Sequence, residues 1–407
     1  MRNIFGKILK DKGISLAAAW SFNQLAYAIV YPFIPIYLCN ERGFDYSTVS
    51  IIFPLLGLAA IIAPLPCGYM TDRFGYSVMM LSGQAVRGLI FFVLAAAVYF
   101  NASFWGFAAL LMFNTAVGSA FQVGSDSYLF HISDSDERPV YYSKIRIGFN
   151  IGWAIGPMVG AFFAKTPFWL FFIFTGILCI IGTVYTKFAC CRNGISSKIP
   201  ASENDIASKR SIYADIFGNV RFLMLISGTL FLMLLVSQLY STLSVYSTKT
   251  VGISSKELGV IYSLNGFMVL ALQFPLVALL SKIKRSIVFQ LILGVLLYAV
   301  GYFQLGFVFN AYLIALAVAI ITVGEIIIQP SLYTAVSVQT RKENAGRMFS
   351  VYSLMRGIGY AVGPWIGGQL FGRCNPIVLW SILSSFALIA AVFFISGEIY
   401  AKKVEKY

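Results

Sequence analysis

The chain has 407 residues, 59% hydrophobic and 11% charged, with a formal charge of +14. A soluble domain carries about 25% charged residues. A mean hydropathy of +0.80 therefore leaves no room for a separate soluble domain and makes the basic excess a membrane-topology signal, not a nucleic-acid surface. Alternating strands of about ten residues, the mark of a membrane barrel, do not occur in the pattern. The class that remains is an all-α integral membrane protein.

Twelve apolar stretches are predicted, at 14–38, 48–70, 78–98, 104–130, 144–164, 168–187, 221–246, 257–280, 287–307, 311–338, 347–371 and 376–398. Each is near the roughly 20 residues that cross a bilayer. Lysine and arginine collect in alternate connections. Only Arg42, Lys165, Lys249, Lys256 and Arg373 fall in the others. The positive-inside rule then places both termini in the cytoplasm.

Residues 1–12 mix Ile4, Phe5, Ile8 and Leu9 with Lys7 and Lys10, an amphipathic lead-in to the inner headgroups. Span 1 is too long for a signal-peptide core and is expected to be retained. It sets Asn23, Tyr27 and Tyr31 on one helical stripe, with Gln24 beside it. After span 2 comes Gly68-Tyr69-Met70-Thr71-Asp72-Arg73-Phe74-Gly75, read as a cytoplasmic loop. Arg87 in span 3 is expected to snorkel to the inner surface. Asp126, near the inner end of span 4, is expected to meet the Asp72-Arg73 loop. Span 5 carries Arg146, less than a turn inside the membrane, then Asn150 and Trp153. It also carries G-x-x-x-G-P-x-x-G, with Gly152, Gly156, Pro157 and Gly160.

The polar stretch 188–220 reads as a cytoplasmic linker between bundles 1–187 and 221–407. The second bundle repeats features of the first. Gln238-Leu239 matches Gln24-Leu25, and Gly266 and Pro275 match Gly57 and Pro66. Span 10 holds Glu325, Gln329 and Tyr333. Span 11 holds Arg356 and a second glycine-proline copy, Gly359, Gly363, Pro364 and Gly367. Glycines four apart let another helix approach closely. A duplicated glycine-proline helix marks a transporter built from two related halves. One histidine, His131, and six cysteines offer no metal spacing, no cofactor site and no nucleophile–base pair. No P-loop is present, so neither an enzyme nor direct ATP drive is expected.

Gly68, Asp72, Arg73 and Gly75 resemble the G-x-x-x-D-R-x-G signature of the major facilitator superfamily, which lies between its second and third helices. Tyr76-Ser77 departs from it, since basic residues usually follow there. Ser281-Lys282-Ile283-Lys284-Arg285 keeps the charge without the aspartate. The resemblance extends over the whole chain. It implies two six-helix pseudo-symmetric bundles rocking about a central site, with the signature as a gate motif. Gly152–Gly160 resembles the fifth-helix signature of the drug:proton exporters, with Ala161 where a second glycine is common. The alternative is that these glycines only pack helices 5 and 8.

The expected function is proton-coupled export of small organic compounds from the cell membrane by a monomer. The alternatives are a proton-coupled importer or facilitator of a nutrient such as a sugar or peptide, and a non-transporting receptor or assembly factor on the same fold. Partners are then the substrate, protons and the bilayer, with no nucleic acid. Glu325, the deepest carboxylate, is either a proton carrier or a structural tie. Asp126 is the second candidate. Asn23, Gln24, Tyr27, Tyr31, Asn150, Trp153, Gln238, Asn265, Gln329, Tyr333 and Arg356 are the cavity candidates, and a Glu325–Arg356 pair is conceivable. Span 1 lacks a carboxylate, which weighs against a cationic substrate.

Overall fold

The computed structural model describes residues 11–133, 138–163, 166–191, 218–282, 286–339 and 345–404. Residues 1–10 of the expected lead-in, most of the linker and residues 283–285 of the basic stretch after span 8 lie outside them. Every named element among the described residues is helical, and one isolated bridge joins Phe371 to Cys374.

In chain order these are α1 (Lys12–Glu41), α2 (Tyr46–Phe74), α3 (Tyr76–Tyr99), α4 (Phe104–Ile132), α5 (Arg138–Phe162) and α6 (Trp169–Ala189). There follow α7 (Val220–Val236), α8 (Ser255–Lys282), α9 (Ile287–Gln304), α10 (Ala311–Val338), α11 (Ala345–Leu370) and α12 (Pro376–Val404). Among the described residues, 9 helical stretches are long and apolar enough to cross a membrane. Their outer faces suit lipid. Leu388, Val392, Ile395 and Ile399 form an exposed apolar stripe down α12, a face that water would not tolerate at this size.

Local chemistry sets the helix ends. Asp11 caps α1, accepting from the backbone N–H of Gly13 at 2.8 Å and Ile14 at 3.1 Å. Lys144 reaches the same carboxylate at 2.6 Å, and this partner holds the Asp11 carboxyl below its usual range. Asn219 caps α7 through Phe222 N–H at 3.0 Å. Ser254 and Glu257 form a reciprocal capping box at the start of α8.

Three helices are interrupted among the described residues, and α2 is one of them, with turns at 50–51 and at Ala63. Pro32 and Pro35 lie where α1 tightens to a 3₁₀ turn at Tyr31–Phe33, and wider π-turns follow at Tyr37–Glu41. Proline removes a helical donor, so that interruption has a sequence cause. After Val236, α7 opens into turns at 237–241, then resumes at Thr242–Tyr246 without any proline. The buried Gln238 spans the break. Its Nε2 donates to Leu234 O at 2.7 Å, and its Oε1 accepts from Thr242 Oγ1 at 2.5 Å.

The chain forms two compact units. One takes Met1–Tyr37, Leu58–Ser202 and Ser254–Gly266. In it α1 lies against α5 and α6, and α3 lies against α4 and α6. Trp20, Tyr76, Met80, Phe121 and Leu129 are part of a buried cluster there. The other takes Leu38–Gly57, Glu203–Ile253 and Phe267–Tyr407. In it α9 packs on α10 and α12, and α7 packs on α11 and α12. Both α2 and α8 are therefore divided, each giving its first part to one unit and its remainder to the other.

Candidate functional site

The two glycine-proline helices are packed through their glycines, one within each unit. On α5 a Cβ at Gly152 would stand 2.6 Å from Gln24 Cβ, and one at Gly156 would stand 2.5 Å from Ala28 Cβ. A Cβ at Gly160 would strike Ile29 O and lie 2.6 Å from Phe33. All three glycines thus face α1, not α8 as the packing alternative expected. The α8 contact is made on another side of α5 by glycines of α8 itself. A Cβ at Gly266 would lie 2.7 Å from Ala154 N, and one at Gly259 would lie 2.7 Å from Pro157 O.

The second unit repeats this arrangement. On α11, Gly359, Gly363 and Gly367 face Met233, Ser237 and Gln238 of the α7 region. Gly57 of α2 would overlap Ala361, as Gly266 would overlap Ala154. Gly368 abuts Ser50, where the first unit sets Ala161 against Gly259. Hydrogen bonds seal this second seam. Gln369 Nε2 donates to Ser47 O at 3.0 Å, and Tyr46 OH and Thr242 Oγ1 share a bond of 3.2 Å.

A polar-aromatic group occupies the first unit. Arg87 is buried, not snorkelled as its position in span 3 suggested. Its Nη1 donates to Asn23 Oδ1 at 2.7 Å, and its Nε donates to Asn114 Oδ1 at 3.2 Å. Its guanidinium lies 5.5 Å from the Tyr27 ring centre. Tyr27 stacks on Tyr31 at 4.6 Å, and Trp153 meets both rings edge-on at 6.0 and 6.4 Å. The span 1 stripe and Trp153 of span 5 are thus one cluster. Gln24, Asn150, Tyr27, Tyr31 and Trp153 are half-buried.

The second unit gathers Arg356, Tyr333, Gln329 and Tyr352. Arg356 Nη1 donates to Tyr333 OH at 2.7 Å, and Nη2 approaches Gln329 Oε1 at 3.5 Å. The guanidinium lies 5.6 Å from each of the Tyr333 and Tyr352 ring centres. Glu325 lies within electrostatic reach of Tyr298 and Tyr360.

A family profile described as the Major Facilitator Superfamily matches residues 16–364. The chain belongs to this superfamily. Over 381 residues it is 26% identical to the uncharacterized MFS-type transporter YqjV of Bacillus subtilis (strain 168), covering 91% of this chain and 90% of that one. It is 23% identical over 381 residues to the bacillibactin exporter of the same organism, covering 92% and 93%. A crystal structure of a peptide transporter, POT, with sulfate superposes with a TM-score of 0.75 at 16% identity, over 95% and 94% of the two chains. That likeness shows the fold alone.

The superfamily's loop signature is not a loop here. Gly68, Asp72 and Arg73 lie inside the last turns of α2, and Gly75 (φ 87°) is the single residue between α2 and α3. Only glycine adopts that φ freely. Asp72 and Arg73 are exposed, and the Arg73 guanidinium lies 5.4 Å from the neighbouring Phe74 ring centre. Among the described residues no ion pair ties Asp126 to Arg73; Asp126 is half-buried on α4. Asn265 is buried in the first unit and Gln238 in the second, where Gln238 closes the α7 break. Sequence reasoning missed Asn114, the second amide on Arg87. A polar residue in the apolar span that follows the arginine was the available signal.

Proposed function

We propose that this chain is a secondary transporter that exports small organic compounds in exchange for protons, by alternating access. Twelve helices cross the cell membrane of a monomer, in bundles 1–187 and 221–407 joined by a cytoplasmic linker at 188–220, with both termini inside. The observation that carries this reading is the pair of reciprocal glycine seams. α5 meets α8 through Gly259 and Gly266, and α11 meets α2 through Gly57 and Gly368. Small-residue seams repeated in two related halves suit helices that must rock without opening a wet path. Likeness to an exporter along nearly the whole length of both chains supports the outward direction.

Glu325 is the proposed proton carrier, with Asp126 second. A carboxylate at that depth of α10 points to a functional role, because charge in the bilayer is costly. The test is a substrate screen in inside-out vesicles with and without a pH gradient, on wild type and Glu325→Gln. Gradient-driven accumulation should fall at least tenfold in the variant, while substrate exchange at zero gradient persists. Unchanged gradient-driven flux removes Glu325 as carrier, and downhill uptake in whole cells would favour an importer of nutrients.

A further inference from the structure

Arg87 is 6% exposed and sits near the middle of α3. A buried charge is tolerated when an opposite charge compensates it. No carboxylate among the described residues stands in ion-pair range of this one. Asn23 and Asn114 satisfy two N–H groups, but an amide oxygen does not neutralise a cation. A guanidinium has five N–H donors. The second proton on Nη1 and both on Nη2 therefore have no protein acceptor among the described residues. The asparagines hold the guanidinium in one orientation, and Gly118 of α4 lies close beside it, where a Cβ would be in ordinary contact with Cζ at 3.6 Å.

Beside that positive charge lies an aromatic wall. Tyr27 is shared between the guanidinium and the Tyr31–Trp153 group, and all three rings are half-buried. A planar ring can pack along the half-buried edge of this group while its acid group meets the guanidinium N–H groups that lack an acceptor, which pair with two oxygens at once. We propose that Arg87, Tyr27, Tyr31 and Trp153 form a binding site for an aromatic organic anion, a flat ring bearing a carboxylate or similar group. The proposal rests on the transport reading and narrows its substrate class from small organic compounds to acids. It also gives the carboxylate-free first span a purpose: an acid there would neutralise Arg87 and leave nothing for the ligand.

The test is calorimetric binding to the full chain in phosphatidylcholine nanodiscs. The probes are 2-naphthoate and its neutral counterpart 2-naphthamide. Wild type should bind the acid at least tenfold more tightly than the amide. Arg87→Gln should lose at least tenfold for the acid and change the amide by no more than about twofold. Arg87→Lys should recover part of the loss, and Tyr31→Ala should weaken both probes together. Equal affinity of wild type for acid and amide overturns the proposal, and this comparison holds even where Arg87→Gln does not fold. A lipid headgroup offers the same chemistry. Unchanged 2-naphthoate affinity in nanodiscs containing phosphatidylglycerol supports a solute site, and competitive loss there overturns it. Acid binding through Arg87 without export from vesicles would sink the transport reading and leave the site standing. Export of neutral or cationic compounds with no acid binding would do the reverse.

Discussion

The two glycine-proline helices carry one motif and meet different neighbours. On α5 the glycines press on α1 from Gln24 into the start of its interruption at Tyr31–Phe33, where backbone, Cβ and ring atoms stand in the way. On α11 Gly359 presses on the regular part of α7 at Met233, and Gly363 and Gly367 press on its break, where the nearest atoms include Ser237 Oγ, Gln238 Oε1 and Thr242 Oγ1. The first seam meets backbone and carbon atoms, with no side-chain oxygen or nitrogen among the nearest. The second is polar and lies over a helix that has already given up its regular bonds. Close packing by glycine therefore does not fix what a seam does; the partner helix decides.

The largest contrast is expected at matching glycines. Gly160→Ala must displace Ile29 O and the Phe33 ring, which moves α1 backbone. Overpacking of that kind costs about 3 kcal/mol at its upper range. Gly367→Ala displaces only the side-chain ends of Gln238 and Thr242, at the expense of their hydrogen bond, about 1 kcal/mol. Unfolding free energies in bicelles measure both, and equal losses would erase the distinction between seams.

A smaller difference separates two glutamines that align by sequence. Gln238→Ala removes bonds to Leu234 and Thr242 across the break and should cost about 1 kcal/mol. Gln24→Ala keeps the Cβ and backbone that lie against Gly152, and should stay within about 0.5 kcal/mol. The same unfolding measurement decides. A larger loss at Gln24 would place the polar demand in the wrong unit.

The smallest effect concerns pH. α1 is capped by the charged Asp11, whereas α7 is capped by the neutral Asn219. The Lys144 bond depresses the Asp11 carboxyl below its ordinary 3.8, so its stabilisation is complete above that pH and is lost as acid drives the pH below it. Asp11→Ala should cost about 1 kcal/mol at pH 7 and nothing once the carboxyl is protonated. Asn219→Ala should show a similar loss with no acid dependence. Hydrogen exchange of the first turns of α1 and α7 reads each separately.

The helical class was legible because span-length apolar runs leave few alternatives, and the repeat because Gly57 and Gly266 matched by position; which helices the glycines meet was not, since those of α5 turn to α1 and the α8 crossing uses Gly259 and Gly266. The span 1 stripe was legible too: Asn23, Tyr27 and Tyr31 follow the helical period and do share a cluster with Trp153. Arg87 was misread because depth along a helix says nothing about which way a side chain turns, and its asparagine partners come from two other spans. The α7 break was hidden because Ser237-Gln238-Leu239-Tyr240-Ser241 contains neither proline nor glycine, and a tertiary contact with Gly367 and a glutamine amide takes the place of a local breaker. The Gly68–Gly75 stretch reads as loop by polarity, yet Thr71 and its neighbours continue α2 until Gly75 turns the chain.

At one repeated position the two units have traded which helix is bare. Ala161 faces Gly259 in one, and Gly368 faces Ser50 in the other. Neither copy keeps a glycine at a fixed place in its chain; each keeps room for one small side group per crossing. What a duplicated fold passes on here is a shared allowance of volume, held jointly by two helices. A library that varies these positions singly would find almost nothing permitted. One that varies them in pairs, exchanging Gly259 for Ser while Ala161 becomes Gly, would find a second working sequence already written in the other half of the same molecule.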